Sequence, residues 1–298
     1  MTTATAATAK TLQAPGATIT YDVREADVAA PPAPPLLLIG SPMGAGGFVT
    51  LASHFPDRTV VTYDPRGVER SLKADPASES TPAQHADDLH RIIAALGGGP
   101  VDLFASSGGA VNALALVASH PGDVRTLVAH EPPLAAIVPD REGALAACRA
   151  VRDAYQEGGF GAGMARFISI VGHRGPFGPE MAGRPAPDPA MFGLPTEDDG
   201  SRYDPLLFQN IITCTHFEPD FDALRAASTR IVIAAGAESE GQLAYRGALA
   251  VAEQLGAAPE SFPSDHGGFL GGEYGQRGDP DAFAAKLREV FSTQRAPG

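Results

Sequence analysis

Nine residues decide the fold of this chain, Val101–Gly109, which read VDLFASSGG. The run opens with apolar residues typical of a buried strand, continues through three small residues and ends in two glycines, before a small-residue apolar helix pattern over 110–119. A strand that turns sharply into a helix through small residues is the nucleophile-elbow pattern, which exposes a nucleophile at the edge of a sheet. We therefore predict strand, sharp turn and helix here.

The elbow offers two serines, Ser106 and Ser107. The backbone is crowded two positions before and two positions after the nucleophile, so both positions need small residues. Ser107 has Ala105 and Gly109 at these positions, whereas Ser106 would have Phe104 at the first of them. We predict Ser107 as the nucleophile.

Further apolar runs without alternation indicate strands that are covered on both faces, over 36–39, 59–63, 124–129 and 229–235. A helix is predicted over 81–96, because Thr81 is a capping residue, Pro82 suits the first helical position and Gly97 ends the pattern. Strands that alternate with helices predict an α/β fold, with a mostly parallel central sheet flanked by helices.

One region breaks this alternation. Residues 142–155 and 164–171 have helical patterns, and a Gly- and Pro-rich stretch follows over 172–203. A long irregular insertion in a compact domain is commonly a lid or a binding loop. We predict a flexible leader over 1–15, a core formed by 16–135 and 226–298, and an inserted, mainly helical cap over 136–225.

The chain has 298 residues, and its 22 basic and 35 acidic residues give a formal net charge of −13. A strongly negative surface disfavours nucleic acid and anionic membranes as partners, and no apolar run is long enough to span a bilayer. The two cysteines, Cys148 and Cys214, lack the spacing of a zinc site, so we expect two buried thiols and neither disulfide nor metal. The segment 1–14 lacks a targeting pattern, so we expect a cytoplasmic location.

A serine hydroxyl needs a base to remove its proton at neutral pH. His266 follows the last strand-like run and lies in a loop of small residues, where the base belongs in the chain order nucleophile, acid, histidine. The patterns around the other histidines favour solvated or capping roles for His54, His85, His90 and His120, and surface roles in or beside the cap for His173 and His216.

The triad also needs an acid that accepts the second imidazole proton and fixes the tautomer. Glu131 follows the strand over 124–129, lies 24 residues after Ser107 and precedes two prolines. Glu238 and Glu240 follow the later strand over 229–235. We favour Glu131 and keep Glu238 and Glu240 as alternative acids.

The oxyanion of an acyl-transfer intermediate needs N–H donors. One is the N–H of Gly108, at the start of the elbow helix. The second should come from the glycine-rich loop after the strand over 36–39, and we choose the N–H of Ser41. A dinucleotide site in this loop is disfavoured, because no acidic ribose partner follows at a later strand end.

From 36 to 291 the chain resembles the α/β-hydrolase superfamily. The motifs that carry the resemblance are Gly40-Ser41-Pro42, Asp64-Pro65-Arg66-Gly67 followed by Ser71, the elbow at Ser107 and the terminal His266. Members usually have Gly in place of Glu69 and His-Gly in place of Ile39-Gly40, and many have Asp in place of Ser239.

Within the superfamily, Ser106-Ser107-Gly108 followed by His130-Glu131-Pro132 is similar to the zearalenone lactonases, which take their acid from this earlier strand. The resemblance implies Glu131 as the acid, Ser41 and Gly108 as oxyanion donors, and a cap that encloses a hydrophobic macrocyclic ester. Apolar contacts from the cap are expected from Phe160, Met164, Phe167, Met191, Phe192 and Phe208.

The predicted activity is a serine hydrolase that needs no cofactor or metal and cleaves a carboxylic ester or lactone, with zearalenone as the substrate that the resemblance implies. Two alternatives stay open. A cofactor-free haloperoxidase-like enzyme or a C–C bond hydrolase would share the triad, and a non-catalytic ligand-binding protein would share the fold. The expected partner is a small hydrophobic ester or lactone, and a homo-oligomer stays open.

Overall fold

The computed structural model describes residues 6–28, 33–178, 181 and 185–293. Within these residues the strands are β1 (Thr8–Ala14), β2 (Ala17–Arg24), β3 (Leu36–Ile39), β4 (Val60–Tyr63), β5 (Leu72–Lys73), β6 (Val101–Ser106), β7 (Val124–His130), β8 (Arg230–Gly236) and β9 (Glu260–Phe262). They form one sheet with the order β1-β2-β4-β3-β6-β7-β8-β9, and β5 pairs with β2. β3, β4 and β6 to β9 are parallel, whereas β2 pairs antiparallel with β1, β4 and β5.

Helices cover both faces of this sheet, as the apolar runs without alternation predict. The α-helices in the described residues are α1 (Val49–Ser53), α2 (Pro82–Ala95), α3 (Gly108–Ser119), α4 (Arg141–Val171), α5 (Ile211–Thr213), α6 (Phe221–Ala226), α7 (Leu243–Gln254) and α8 (Pro280–Ser292). Side chains along a strand point alternately to opposite faces, so Leu37 and Ile39 pack in the apolar cluster with α2 and α3, whereas Leu36 and Leu38 pack in the cluster with α1 and α8.

The predicted start of α2 is confirmed. The Thr81 hydroxyl accepts a hydrogen bond from the N–H of Gln84 at 3.3 Å, and the Gln84 side chain accepts one from the N–H of Thr81 at 2.8 Å. This reciprocal capping box satisfies two N–H groups that the first helical turn leaves without partners. It fixes where the helix before the elbow strand begins.

The segment between β7 and β8 is mainly helical where it is described. The two helices expected over 142–155 and 164–171 form one continuous run, α4, which is kinked at Gly159 with φ 75°. A π-helix over Pro205–Asn210 packs against α4, and buried residues of both contribute to a third apolar cluster. This small core of the insertion is separate from the clusters on the two faces of the sheet, and it also includes Leu243 and Ala250 of α7.

Two sequence predictions about exposed segments are wrong. Most of the expected flexible leader forms β1, because Thr8–Ala14 pairs residue by residue with β2, while residues 1–5 lie outside the described part. His85, expected to be solvated or capping, is 1% exposed, because it lies one turn before Leu89 on the buried face of α2. Both cysteines are free and buried, as expected. No helix in the described residues has the length and apolar character needed to cross a membrane.

Candidate active site

Ser107 occupies the sharp turn between β6 and α3. Its backbone has φ 59° and ψ −129°, a conformation that side-chain-bearing residues rarely adopt and that costs on the order of 1–3 kcal/mol. The N–H of Ser107 donates to the carbonyl of His130 at 2.9 Å, which ties the turn to the end of β7. A Cβ atom at Gly109 would lie 2.8 Å from the Cα of Gly40, so this position must be glycine if the loop after β3 is to approach the elbow.

The two serines of the elbow have different environments. Ser106 is the last residue of β6, is 3% exposed, and its hydroxyl lies 3.1 Å from Nδ1 of His130. Ser107 is less buried and carries the strained backbone of the turn. The elbow geometry therefore belongs to Ser107, as the small-residue pattern indicates.

Glu131 lies immediately after β7, and the structure brings it to His266. Its Oε2 is 2.5 Å from Nδ1 of His266, and its Oε1 accepts a hydrogen bond from the N–H of Gly236 at 2.8 Å. The Glu131 side chain is fully buried, whereas that of His266 is 39% exposed. The backbone of Glu131 has φ 48°, and its N–H donates to the carbonyl of Ala234 on β8. Strained backbone thus occurs at two adjacent strand ends.

The Glu131 carboxylate is held in its ionised form. Burial opposes its ionisation, but the hydrogen bond with His266, the electrostatic interactions with the imidazoles of His130 and His266 and the N–H of Gly236 outweigh burial and lower the pKa of Glu131 to about 2. An ionised carboxylate on Nδ1 requires that nitrogen to carry the proton. Nε2 of His266 is then the nitrogen that can accept a proton.

The two alternative acids are placed differently. Glu238 and Glu240 are exposed residues of the turn after β8, and Arg174 of the insertion donates hydrogen bonds to both of their backbone carbonyls. The N–H of Glu238 donates to the carbonyl of Ser264 at 2.9 Å. This turn therefore contributes backbone contacts to the loop that contains His266. In the described residues, the carboxylate that contacts Nδ1 of His266 is that of Glu131.

The two predicted oxyanion donors lie on segments in close contact. A Cβ atom at Gly108 would lie 2.5 Å from the carbonyl oxygen of Ser41 and 3.2 Å from Sγ of Cys214. Only glycine fits at such an approach. The loop after β3 and the start of α3 therefore form one surface, next to a cysteine from the insertion.

Sequence reasoning missed Asn210, the last residue of the π-helix. Its side-chain N–H donates to the hydroxyl of Ser41 at 3.0 Å, and both residues are buried. Helices of π type occur frequently at functional sites. The insertion thus holds the predicted oxyanion loop directly, a contact that residues 169 positions apart give no local signal for.

Sequence reasoning also gave no role to His130, which lies under the site. It is fully buried, its ring centroid is 5.8 Å from that of His266, and four phenylalanine rings surround it. Burial, with a smaller contribution from His266, outweighs the opposing effect of Glu131 and lowers the pKa of His130 to about 4. His130 is therefore neutral at neutral pH and adds no positive charge beside His266.

The apolar residues expected to line the cap divide into two groups. Phe160, Met164, Phe167 and Phe208 pack against the small core of the insertion. Met191 and Phe192 are 76% and 40% exposed. The three-residue cluster with metal-ligand chemistry in the described part lies elsewhere, at His90, His120 and Asp123.

Comparisons with known proteins agree with this architecture. The sequence model of the family described as alpha/beta hydrolase fold matches residues 34–169. The uncharacterized hydrolase YraK of Bacillus subtilis (strain 168) is 31% identical over 270 residues, which cover 87% of this chain and 89% of that protein.

Solved structures of similar fold include two hydrolases. The enol-lactonase from Burkholderia xenovorans LB400 has a TM-score of 0.64 at 16% identity, and the match covers 95% of this chain and 100% of that one. A thermophilic esterase from Thermogutta terrifontis has a TM-score of 0.63 at 18% identity, covering 96% and 98%. At these identities the likeness is one of fold.

Proposed function

Because this chain belongs to the α/β-hydrolase superfamily, we propose that it is a serine hydrolase of carboxylic esters or lactones, with Ser107 as nucleophile, His266 as base and Glu131 as acid. The observation that carries the proposal is the contact of 2.5 Å between the buried Glu131 carboxylate and Nδ1 of His266, at the strand end next to the Ser107 elbow. Superfamily membership supports a hydrolase, and the named residues are our assignment.

The proposed reaction has two steps. The Ser107 hydroxyl oxygen attacks the carbonyl carbon while Nε2 of His266 takes its proton, and the N–H groups of Ser41 and Gly108 bind the oxyanion. The imidazolium then gives that proton to the leaving alkoxide, and an acyl-enzyme remains. Water attacks this ester with His266 again as base, which releases the acid and restores Ser107. Glu131 stabilises the imidazolium in both steps.

Within this class we propose a hydrophobic lactone, with zearalenone as the first substrate to test. Placement of the acid after β7 rather than β8 supports this choice, because the zearalenone lactonases share that arrangement. The apolar side chains of the insertion also favour an uncharged substrate, and the net charge of −13 disfavours an anionic one.

The nucleophile is tested with a fluorophosphonate probe and product release from an ester panel. We expect the native chain and Ser106→Ala to be labelled and active, and Ser107→Ala to lose both properties, with at least a thousandfold lower kcat. Because Ser106 and Ser107 are neighbours, the first variant controls for disturbance of the elbow. Labelling that persists in Ser107→Ala would overturn the assignment.

The substrate class is tested by incubating the native chain and Ser107→Ala with zearalenone and measuring product mass. Ring opening adds one water, about 18 Da, and we expect it with the native chain alone. Esters, other lactones and C–C bond substrates are tested in parallel. Cleavage of esters but not of zearalenone would support the proposed hydrolase activity and reject zearalenone as a substrate. Binding without turnover of any substrate would favour the ligand-binding alternative.

A further inference from the structure

We propose that His90, His120 and Asp123 form a binding site for a divalent transition-metal ion, with Zn²⁺ as the reference ion. One ligand atom from each residue lies within 4.8 Å of the other two. Nδ1 of His90 is 2.7 Å from Oδ2 of Asp123, which is the separation of a hydrogen-bonded pair whose proton a metal ion can replace. The three residues come from α2, the end of α3 and the turn before β7.

The donor set fits zinc chemistry. Two imidazoles and one carboxylate are a common set of three protein ligands for Zn²⁺, with a water molecule as the fourth ligand. Imidazole also selects against Mg²⁺ and Ca²⁺, which prefer oxygen donors. The negative net charge of the chain and the carboxyl end of α3, where His120 is the capping residue, both favour a cation here.

The protein holds two of the ligands on a fixed turn. The N–H of Asp123 donates to the carbonyl of His120 at 3.1 Å, and Pro121 occupies the first central position of this four-residue turn. The carbonyl of Asp123 accepts from the N–H of Val101 at 2.9 Å, which fastens the turn to the start of β6. Ligands on a pinned turn lose little freedom when they bind an ion.

The third ligand already lies against this turn. The rings of His90 and His120 are stacked, with centroids 3.9 Å apart and planes 9° from parallel. Ligand atoms around a tetrahedral Zn²⁺ are roughly 3.4 Å apart, given bond lengths of about 2.0–2.1 Å, and the ion lies in the plane of each imidazole. Binding therefore requires the two rings to rotate out of this stack as the ligand atoms close in from within 4.8 Å, and all three side chains are partly exposed, so they have room to turn and solvent reaches them.

The proposed site is separate from the catalytic residues. Asp123 precedes β7 at the amino end of the parallel strands, whereas Ser107 follows β6 at the carboxyl end. The six residues of β6 place these ends about 20 Å apart. An ion at this position joins α2 to the turn between α3 and β7, so we infer that it stabilises the folded chain and takes no part in hydrolysis.

The test is isothermal titration calorimetry with ZnCl₂ on the full chain without an affinity tag. We expect one saturable Zn²⁺ per chain, and binding at least about tenfold weaker in His90→Ala and in His120→Ala. His54→Ala is the matched control, because Nε2 of His54 lies 3.5 Å from Oδ1 of Asp281 and forms a single His–Asp pair. This control should bind Zn²⁺ as the native chain does.

Thermal unfolding gives an independent readout. Zn²⁺ should raise the unfolding midpoint of the native chain and of His54→Ala, and leave the midpoints of the two site variants unchanged, while Mg²⁺ should raise none of them. Circular dichroism without metal shows that the variants fold. Absence of saturable Zn²⁺ binding to the native chain, or undiminished binding in both site variants, would overturn the proposal. Ester hydrolysis should be the same with and without Zn²⁺, so this outcome is independent of the proposed activity.

Discussion

Asp102 and Glu131 are fully buried carboxylates at opposite ends of neighbouring parallel strands, and their partners differ. Asp102, near the start of β6, binds Arg58 at 2.7 Å and Arg125 at 2.6 Å. Glu131, after the end of β7, binds His266 and the N–H of Gly236. Both charges are satisfied, but only Glu131 faces an imidazole, a group that can both accept and release a proton.

The different partners of Asp102 and Glu131 give the two ends of the sheet different chemical properties. An arginine stays charged at every physiological pH, so the charges around Asp102 are permanent and hold the start of β6 against its neighbours. The partner of Glu131 can exist with or without charge, so the same kind of contact suits the proton transfer that we propose. Backbone with positive φ occurs at Glu131 itself, at Ser107 and at Ser264, two residues before His266, and not at Asp102. Strain of this kind is concentrated at functional sites.

The largest expected effect comes from Glu131→Gln. The amide keeps the shape of the side chain but removes the negative charge that stabilises the imidazolium, so kcat should fall about 10³–10⁴-fold for any ester substrate that the native chain cleaves. Steady-state kinetics measures this loss. Glu238→Gln is the matched control and should retain native kcat. An equal loss in the two variants would remove the distinction that we draw between the two strand ends.

Asp102→Asn should produce the opposite result. Removing the carboxylate leaves the buried Arg58 without its counter-charge, and we expect the free energy of unfolding to fall by about 3 kcal/mol. Urea denaturation measures the loss, and kcat per folded molecule should stay native. Asp87→Asn, which breaks the exposed pair with Arg91, should leave stability unchanged. A loss of kcat in folded Asp102→Asn would mean that the two ends are not independent.

The third prediction concerns a buried histidine without a carboxylate partner. Burial, together with the charges of Arg66 and Lys73, lowers the pKa of His85 to about 3, while an unfolded histidine titrates near 6.5. Between these values the unfolded chain binds more protons, so this group's contribution to stability is lost as pH falls from 6.5 toward 3, by about 1.4 kcal/mol per pH unit. Urea midpoints between pH 7 and 5 measure this slope.

His85→Phe should make that dependence shallower. A phenylalanine fills a similar volume and binds no proton, whereas the contribution of His130, whose pKa burial lowers to about 4, remains. His54→Gln, at a partly exposed position, is the control and should keep the native slope. An unchanged slope in His85→Phe would show that His85 is not held neutral in the folded chain.

The smallest expected effect comes from a contact between neutral groups. Asn210→Ala removes the hydrogen bond to the Ser41 hydroxyl, and we expect kcat/KM to fall about tenfold, the equivalent of about 1.4 kcal/mol. Gln209→Ala is the control, because this neighbour in the π-helix bonds instead to the carbonyl of Ser78. If both variants lose equal activity, the effect belongs to the π-helix and not to the contact with Ser41.

Local patterns in the sequence predicted most of the fold. The elbow and the strands over 36–39 and 124–129 could be predicted because apolar runs, small residues and glycines determine local structure within a few positions of the chain. The burial of His85 could also have been predicted, since His85 lies at helical spacing from Leu89 and Ile92 on the buried face of α2. The superfamily's usual Gly at Glu69 has a local reason as well, because that residue has φ 46°.

Contacts between segments that are distant in the sequence could not be predicted from local patterns. Glu131 could be placed at a strand end, but its bond to the N–H of Gly236 joins residues 105 positions apart. The same limit applies to Asn210 and Ser41, and to β1, whose exposed, Thr-rich sequence gives little sign of a strand until its partner β2 is known. Tertiary pairing decides such elements, and a single sequence contains no measure of it.

The close fit between Gly108 and Ser41, the proposed oxyanion donors, makes the proposed activity sensitive to the pairing register of β3 and β6. These residues follow β6 and β3, which pair with Ile39 opposite Ala105, and the elbow leaves no room for an added methyl group between them. A slip of one residue would shift one loop past the other by about 3.3 Å and turn every side chain of the slipped strand to the wrong face. Specific activity per folded molecule is then expected to report whether β3 and β6 pair in the correct register, even where the overall secondary-structure content is unchanged.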